Sequence, residues 1–294
     1  MTVQALPYIL LQGVLFGSSL IASRFSVGQF HPSTYIGLRM VLASLCHAAV
    51  YLLDRHRKLP TDLHLWRHAT LMGIGTAISM TAIVSAMQYL SAGLASVLLT
   101  AGPAITILMA HSFLVDEALT ARKSAGIVLS LGGALLLALR GETGLPNVSQ
   151  SGLLGYGLVF LTLACGSSTT VYARRFMRNL DAFDVASIRM FVAALTVMPL
   201  SVLFVGLDLQ DVNGQGYFAL GYAALVGTFL GFSVSFYNVK RFGATASAMP
   251  LYVMPVVSSL GGALILDEQI TPGMVAGMGL IAVGIALINQ RRRA

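Results

Sequence analysis

The chain has 294 residues, of which 56% are hydrophobic and only 10% are Asp, Glu, Lys or Arg, and its formal net charge is +7. Soluble domains carry about 25% charged residues, so these few charges argue against a water-soluble helical protein. The positive balance sits at the edges of apolar segments, where anionic headgroups attract it, and no nucleic-acid partner is expected.

Ten apolar stretches follow one another at 5–23, 34–53, 67–90, 92–115, 120–139, 152–173, 182–204, 217–238, 244–266 and 272–290. Each is close to the ~20 residues that a helix needs to cross a bilayer core of ~30 Å. The first carries Gln12 and Phe16 and lacks the basic lead and cleavage site of a signal peptide, so it is expected to be retained. The second holds Arg39 and His47, and the third places Thr76, Ser79 and Met80 near its middle. Gly102 and Pro103 fall near the centre of the fourth, which also holds His111. The seventh holds Arg189. The eighth carries Phe229, Phe232, Phe236 and Tyr237, spaced as one helical stripe and bordered by Ser233 and Ser235. The ninth has Tyr252 and, near its middle, Pro255. The fifth and tenth are rich in glycine (Gly126, Gly132 and Gly133; Gly277, Gly279 and Gly284), which suits a scaffold or a dimer face. Cys46 and Cys165 both lie within spans and read as small packing residues.

The basic residues alternate across these stretches. Arg55, Arg57, Lys58 and Arg67, then Arg122 and Lys123, then Arg174, Arg175 and Arg178, then Lys240 and Arg241, then Arg291–Arg293 all fall on one side. The other side holds only Arg24 and Arg140. Short cytoplasmic loops retain Lys and Arg, so both termini are expected on the cytoplasmic side of a bacterial inner membrane. Arg39 and Arg189 are the two that lie within spans. Each is five to seven residues in, about 8–10 Å at ~1.5 Å per residue. A guanidinium can reach a headgroup from that depth, so anchoring or gating is expected of them.

The chain also repeats itself at an offset of about 150 residues. Leu38-Arg39-Met40 meets Ile188-Arg189-Met190, Leu94-Ala95-Ser96 meets Thr245-Ala246-Ser247, and Asp116-Glu117 meets Asp267-Glu268. Residues 1–140 and 152–294 are the two halves, and the turn-rich run 141–151 joins them. Five spans per half is an odd number, so the second half enters the membrane from the opposite side. Inverted repeats of this kind build secondary transporters, with solute held between the halves. The fold class expected is all-α, with ten membrane helices in two inverted five-helix repeats.

The pattern Ala92-Gly93-Leu94-Ala95-Ser96…Pro103…Asp116-Glu117…Thr120 and its copy Gly243–Ser247…Pro255…Asp267-Glu268…Thr271-Pro272 resemble the drug/metabolite transporter superfamily. The EamA-type permeases are most similar, among them bacterial exporters of amino acids, including aromatic ones. The resemblance covers essentially the whole chain and implies a metabolite exporter of the inner membrane.

All eleven carboxylates sit in loops or at span edges, and no Walker-type phosphate loop occurs. A proton-driven cation exporter keeps a carboxylate deep in the bilayer; here facilitated movement of a neutral or zwitterionic solute is favoured. A proton-coupled multidrug or other metabolite exporter is the alternative. An intramembrane enzyme is the alternative of another class, for which nucleophile–base pairs or clustered metal ligands are lacking; His64 and His68 read as a solvated loop face. No cofactor and no metal are expected, and the partners are a small solute and the bilayer, with the chain a monomer or weak homodimer. Gln12, Phe16, Thr76, Ser79, Met80, Gly102, Pro103, Phe229, Phe232, Tyr252 and Pro255 are the expected solute contacts, with the prolines as hinges.

Overall fold

A computed structural model describes residues 3–54, 57–113, 119–146, 152–177, 179–207 and 209–289. Among these residues the chain is all helix, without a strand. Helices are what an apolar solvent demands, because every backbone N–H and C=O must be satisfied within the segment. The helices are α1 (Leu6–Ser26), α2 (Pro32–Leu53), α3 (Leu63–Ala86), α4 (Ala92–Leu99), α5 (Gly102–Phe113), α6 (Ala121–Leu139), α7 (Gly152–Phe176), α8 (Ala182–Phe204), α9 (Gly214–Tyr222), α10 (Gly231–Ala248), α11 (Pro250–Leu266) and α12 (Pro272–Asn289). A π-helical segment, Ala223–Leu230, joins α9 to α10 without interruption. Among the described residues, eight helical segments are long and apolar enough to cross a membrane; Pro250–Leu266 and Pro272–Ile288 are apolar but shorter. The first Asp-Glu pair, Asp116-Glu117, lies outside the described residues, as do Arg55, His56, Arg178, Asp208 and 291–294.

Local chemistry sets the ends. Side chains of Asp62, Ser91, Thr120, Asp181 and Asn213 accept backbone N–H bonds at the starts of α3, α4, α6, α8 and α9. Such caps satisfy donors that a helix start leaves free. Pro32, Pro250 and Pro272 open α2, α11 and α12, where a missing N–H costs nothing.

Two boundaries depart from the sequence reading. The kink expected at Pro103 is a full break: α4 stops at Leu99, and Pro103 is the second residue of α5. The Gly102 carbonyl at this break accepts the Thr106 hydroxyl at 2.9 Å. The ninth span does not begin at 244. Residues 244–248 continue α10, and α11 starts at Pro250, because proline has no N–H to donate to the preceding turn whereas Gly243 is tolerated inside a helix. Pro255 is therefore six residues into an unbroken α11 rather than at its midpoint.

The packing partners come in corresponding pairs. α2 lies on α8, α6 on α12, and α3 on α7 and α8; α1 packs on α11 and on the π segment. The α6–α12 seam is the tightest. A Cβ at Gly126 would lie 2.5 Å from the Gly284 carbonyl oxygen, and one at Gly284 would lie 2.5 Å from the Gly126 oxygen. Gly133 meets the Gly277 carbonyl at 3.1 Å, while Gly132 and Gly279 meet nothing within 4 Å. Gly126, Gly133, Gly277 and Gly284 thus close a seam inside one chain, the scaffold alternative of the two expected. Placing Leu at Gly126 has to push two backbones apart, at a cost of about 1–3 kcal/mol for an overpacked site. We expect Gly126→Leu to lower the thermal unfolding midpoint of the detergent-solubilised chain and Gly132→Leu to leave it unchanged; equal midpoints for the two variants would contradict the seam.

Candidate functional site

A cavity of about 270 Å³ lies where α1, α2, α3, α7, α10 and α11 meet. Its wall includes Phe16, Ser19, Ser23, Arg39, Ser79, Met80, Thr162, Phe232, Leu251 and Met254. Phe16 and Phe232 pack edge to face across it, ring centres 5.6 Å apart. Its size is just under the usual ~300–1,000 Å³ of small-molecule sites, and its mostly apolar wall with a few polar groups is typical of them. Two larger clefts, of about 420 and 450 Å³, are lined by α3, α7 and α8 and by α4 to α7. No charged side chain lines either one, and they read as lipid-facing crevices between helices.

Arg39 is the best-held polar group in the wall. It is only 6% exposed. Its Nε donates to Thr228 Oγ1 at 2.8 Å, Nη1 to Ser23 Oγ at 2.9 Å and Nη2 to Ser19 Oγ at 2.8 Å. The guanidinium therefore sits in a nest of hydroxyls and does not extend along lipid toward a headgroup, as its depth suggested. Arg189 is arranged in a related way: its Nε donates to Thr76 Oγ1, and its guanidinium stands 5.8 Å from the centre of the Phe232 ring. Arg39 and Arg189 are each the eighth residue of their helix, α2 and α8. Each bonds a threonine of the other half of the chain. Asp184, near Arg189 in sequence, turns instead to the Tyr51 hydroxyl at 2.6 Å and to Arg57.

The other expected contacts are divided. Phe16, Ser79, Met80 and Phe232 share the cavity. Thr76 reaches it only through Arg189. Gln12 is buried and accepts the Asn238 amide at 2.7 Å, tying α1 to α10. Phe229 packs on the His47 ring at 5.1 Å, and Tyr237 on Tyr8 at 5.0 Å, so the aromatic stripe is split among three places. The π segment, which ends at Leu230, changes the register between Phe229 and Phe232, while Tyr237 lies five residues beyond Phe232 in α10 and so on another part of the helix surface. Tyr252 packs against the main core between Leu251 and Met254. Gly102, Pro103 and Pro255 are not in the wall.

Glu268 was singled out only as part of a repeated motif. Asp267, left-handed at φ 55°, turns the chain at the end of α11 and brings Glu268 back over the start of α4. Its carboxylate accepts the Ala92 N–H at 2.8 Å and the Gly93 N–H at 3.4 Å, and lies 3.6 Å from Arg24. A carboxylate at a helix start is favoured by the helix dipole. Nearby, Ser91 N–H bonds the Thr143 carbonyl and Gln269 N–H the Gly144 carbonyl. This face of the molecule is closed across both halves of the chain. At the opposite face Arg57 lies near Asp181 and Asp184 and over the Phe183 ring.

The EamA-like transporter family profile matches residues 4–139 and again 153–290. The chain belongs to the EamA-like transporter family. Members of this family are multi-pass membrane transporters of small-molecule solutes. A probable amino-acid metabolite efflux pump of Escherichia coli is 27% identical over 291 residues, covering 94% of this chain and 91% of that protein. The uncharacterized transporter YoaV of Bacillus subtilis is 25% identical over 275 residues, 92% of each. A solved crystal structure shares the fold with a TM-score of 0.66, at 21% identity over 95% of this chain and 94% of that one.

Burial holds the Glu268 carboxyl above its ordinary value of 4.5, against the opposing pull of the Ala92 and Gly93 N–H groups and Arg24. A raised folded-state value means that the folded chain binds this proton more readily than the unfolded chain. The stabilisation linked to it is complete below about pH 4.5 and is lost as pH rises above that. Glu268→Gln should remove this part of the pH dependence of unfolding. Glu268→Ala, which leaves two N–H groups without an acceptor and Arg24 without its ion-pair partner, should cost about 1–3 kcal/mol. An unfolding profile that keeps its pH slope in Glu268→Gln would remove the assignment.

Proposed function

We propose that this chain exports small neutral or zwitterionic solutes, above all amino acids including aromatic ones, by alternating access. Its ten apolar segments act as ten crossings in two inverted halves, 1–140 and 152–294. Both termini lie in the cytoplasm of a bacterium, and the working unit is a monomer or a weak homodimer. The observation that carries this reading is the cavity between the halves, with an aromatic pair, hydroxyls and no carboxylate in its wall. Phe16 and Phe232 offer an apolar side chain a slot, and Ser79 and Thr162 offer a polar end hydrogen bonds. The wall's lack of a carboxylate favours movement down the solute gradient over proton exchange. The name of the E. coli relative points to the same solute class.

The breaks and prolines supply the motion. α4 and α5 can tilt about Thr100–Ala101, and α11 can bend at Pro255, which lacks a donor to its own preceding turn. Tyr252, one turn before Pro255, would move with that bend.

The test is exchange by the chain reconstituted in liposomes, screened with amino acids, polyamines, sugars and hydrophobic cations, with and without a pH gradient. We expect exchange of large apolar amino acids at rates independent of the gradient. Phe232→Ala should weaken competition by aromatic amino acids about tenfold, in keeping with the loss of an aromatic contact worth ~0.5–1.5 kcal/mol beyond its buried area. Pro103→Ala and Pro255→Ala should slow exchange. Exchange of cations alone, driven by protons, would replace this reading with the multidrug one.

A further inference from the structure

Arg39, buried, and Arg189, partly buried, lack the carboxylate partners that cations inside a membrane protein ordinarily have. Among the described residues the ion pairs engage Arg24 and Arg57, and no carboxylate comes within pairing distance of either intramembrane arginine. Hydroxyls satisfy part of each fork but none of its charge. A guanidinium has five N–H donors. Arg39 spends three on Ser19, Ser23 and Thr228 and also stands within hydrogen-bonding reach of the Tyr35 hydroxyl, and Arg189 spends one on Thr76. Both retain unspent donors beside the cavity, Arg39 in its wall and Arg189 against the Phe232 ring.

A cation held about 10 Å inside a membrane protein is costly unless it is compensated. The arrangement occurs twice, at the eighth residue of α2 and of α8, and each time with its Nε on a threonine of the opposite half. A single buried arginine could be a packing accident. Two at equivalent positions, both beside one cavity and both short of an anion, are missing the same thing.

We propose that the missing anion is the solute's own acid group. A carboxylate entering the cavity is held by the free N–H groups of Arg39 and Arg189, and its apolar tail lies along Phe16, Met80 and Phe232. Arginine is suited to this because its planar fork matches a carboxylate with two parallel bonds. An amino group finds only hydroxyls and carbonyls in the wall, and no carboxylate to pair with. Recognition therefore runs through the acid end, and the amino group is dispensable. The solute class is a small organic acid with an apolar or aromatic tail, of which aromatic amino acids are one case. The inference rests on the cavity being the solute site, as argued above, and it changes the role of the two arginines from gating to recognition.

The experiment uses the purified full-length chain with three probes of one shape: phenylalanine, 3-phenylpropanoate (acid without amine) and 2-phenylethylamine (amine without acid). Binding is read as the ligand-induced rise in thermal unfolding midpoint, which follows occupancy of the folded state. Transport is read separately as competition against labelled phenylalanine exchange in liposomes. We expect 3-phenylpropanoate to raise the midpoint and 2-phenylethylamine at the same concentration to leave it in place. Arg39→Gln and Arg189→Gln should each weaken the acid about 10–100-fold, the range for a lost hydrogen bond to a charged group, and the Lys variants should weaken it less. Stabilisation by the amine equal to that by the acid would overturn the proposal, as would an undiminished response to the acid in Arg189→Gln. If Arg39→Gln does not fold, Arg189→Gln and the unmodified chain still decide. Arginine-dependent binding of the acid with no exchange of phenylalanine would uphold the inference and sink the amino-acid reading alone.

Discussion

Hydroxyls in the middle of this molecule can bond their own helix, as Thr76 does to the Met72 carbonyl, but a guanidinium has to find its acceptors on other helices. The exchange of bonds between Arg39 and Thr228, and between Arg189 and Thr76, is the clearest outcome of that constraint. It joins the first half of the chain to the second twice, in a related manner, on either side of the Phe16–Phe232 pair. The shape of the cavity follows from it. α2 and α8 must turn their arginines inward, so the helices beside them, α1 and α3 together with the π segment, present hydroxyls and leave a gap between.

Around this centre the rest divides into fixed and latched parts. The α6–α12 seam is fixed: Gly126 and Gly284 bring backbone against backbone, with no side chain between them to yield. The closed face is latched by few groups. Glu268 holds the first N–H groups of α4, and Arg24 adds a partly buried charge. Hydrogen bonds to a helix start and a pair at 3.6 Å are modest interactions that can be broken and remade, unlike a glycine seam. A carrier needs both kinds of contact, since one half must move against something that does not.

Much of the fold was legible because the apolar runs have the length and composition of membrane-crossing helices. What misled was local. The ninth apolar run reads as 244–266, yet residues 244–248 continue α10, and the real stop is Pro250. Phe229 looked like a neighbour of Phe232, but the π segment shifts the register between them. Phe16, Ser79 and Met80 stand out in sequence because each sits near the middle of its span, and Phe232 because it belongs to an aromatic stripe; the four meet in one cavity. Ser19, Ser23, Thr228 and Glu268 could not be picked out alone: a serine in a span more often bonds its own helix. Their meaning depends on which helix lies opposite, although Ser19 and Ser23, four residues apart on one face of α1, are a trace of it.

The proposed reading rests on an inverted duplication, which would account for the matched arginines beside one cavity and would allow one half to move against the other. Single cysteines placed beside Asp116-Glu117 and beside Asp267-Glu268, labelled with a membrane-impermeant reagent in intact cells and again after lysis, test it directly. The account predicts that the second site labels in intact cells and the first only after lysis. Labelling of both sites from the same side would contradict it.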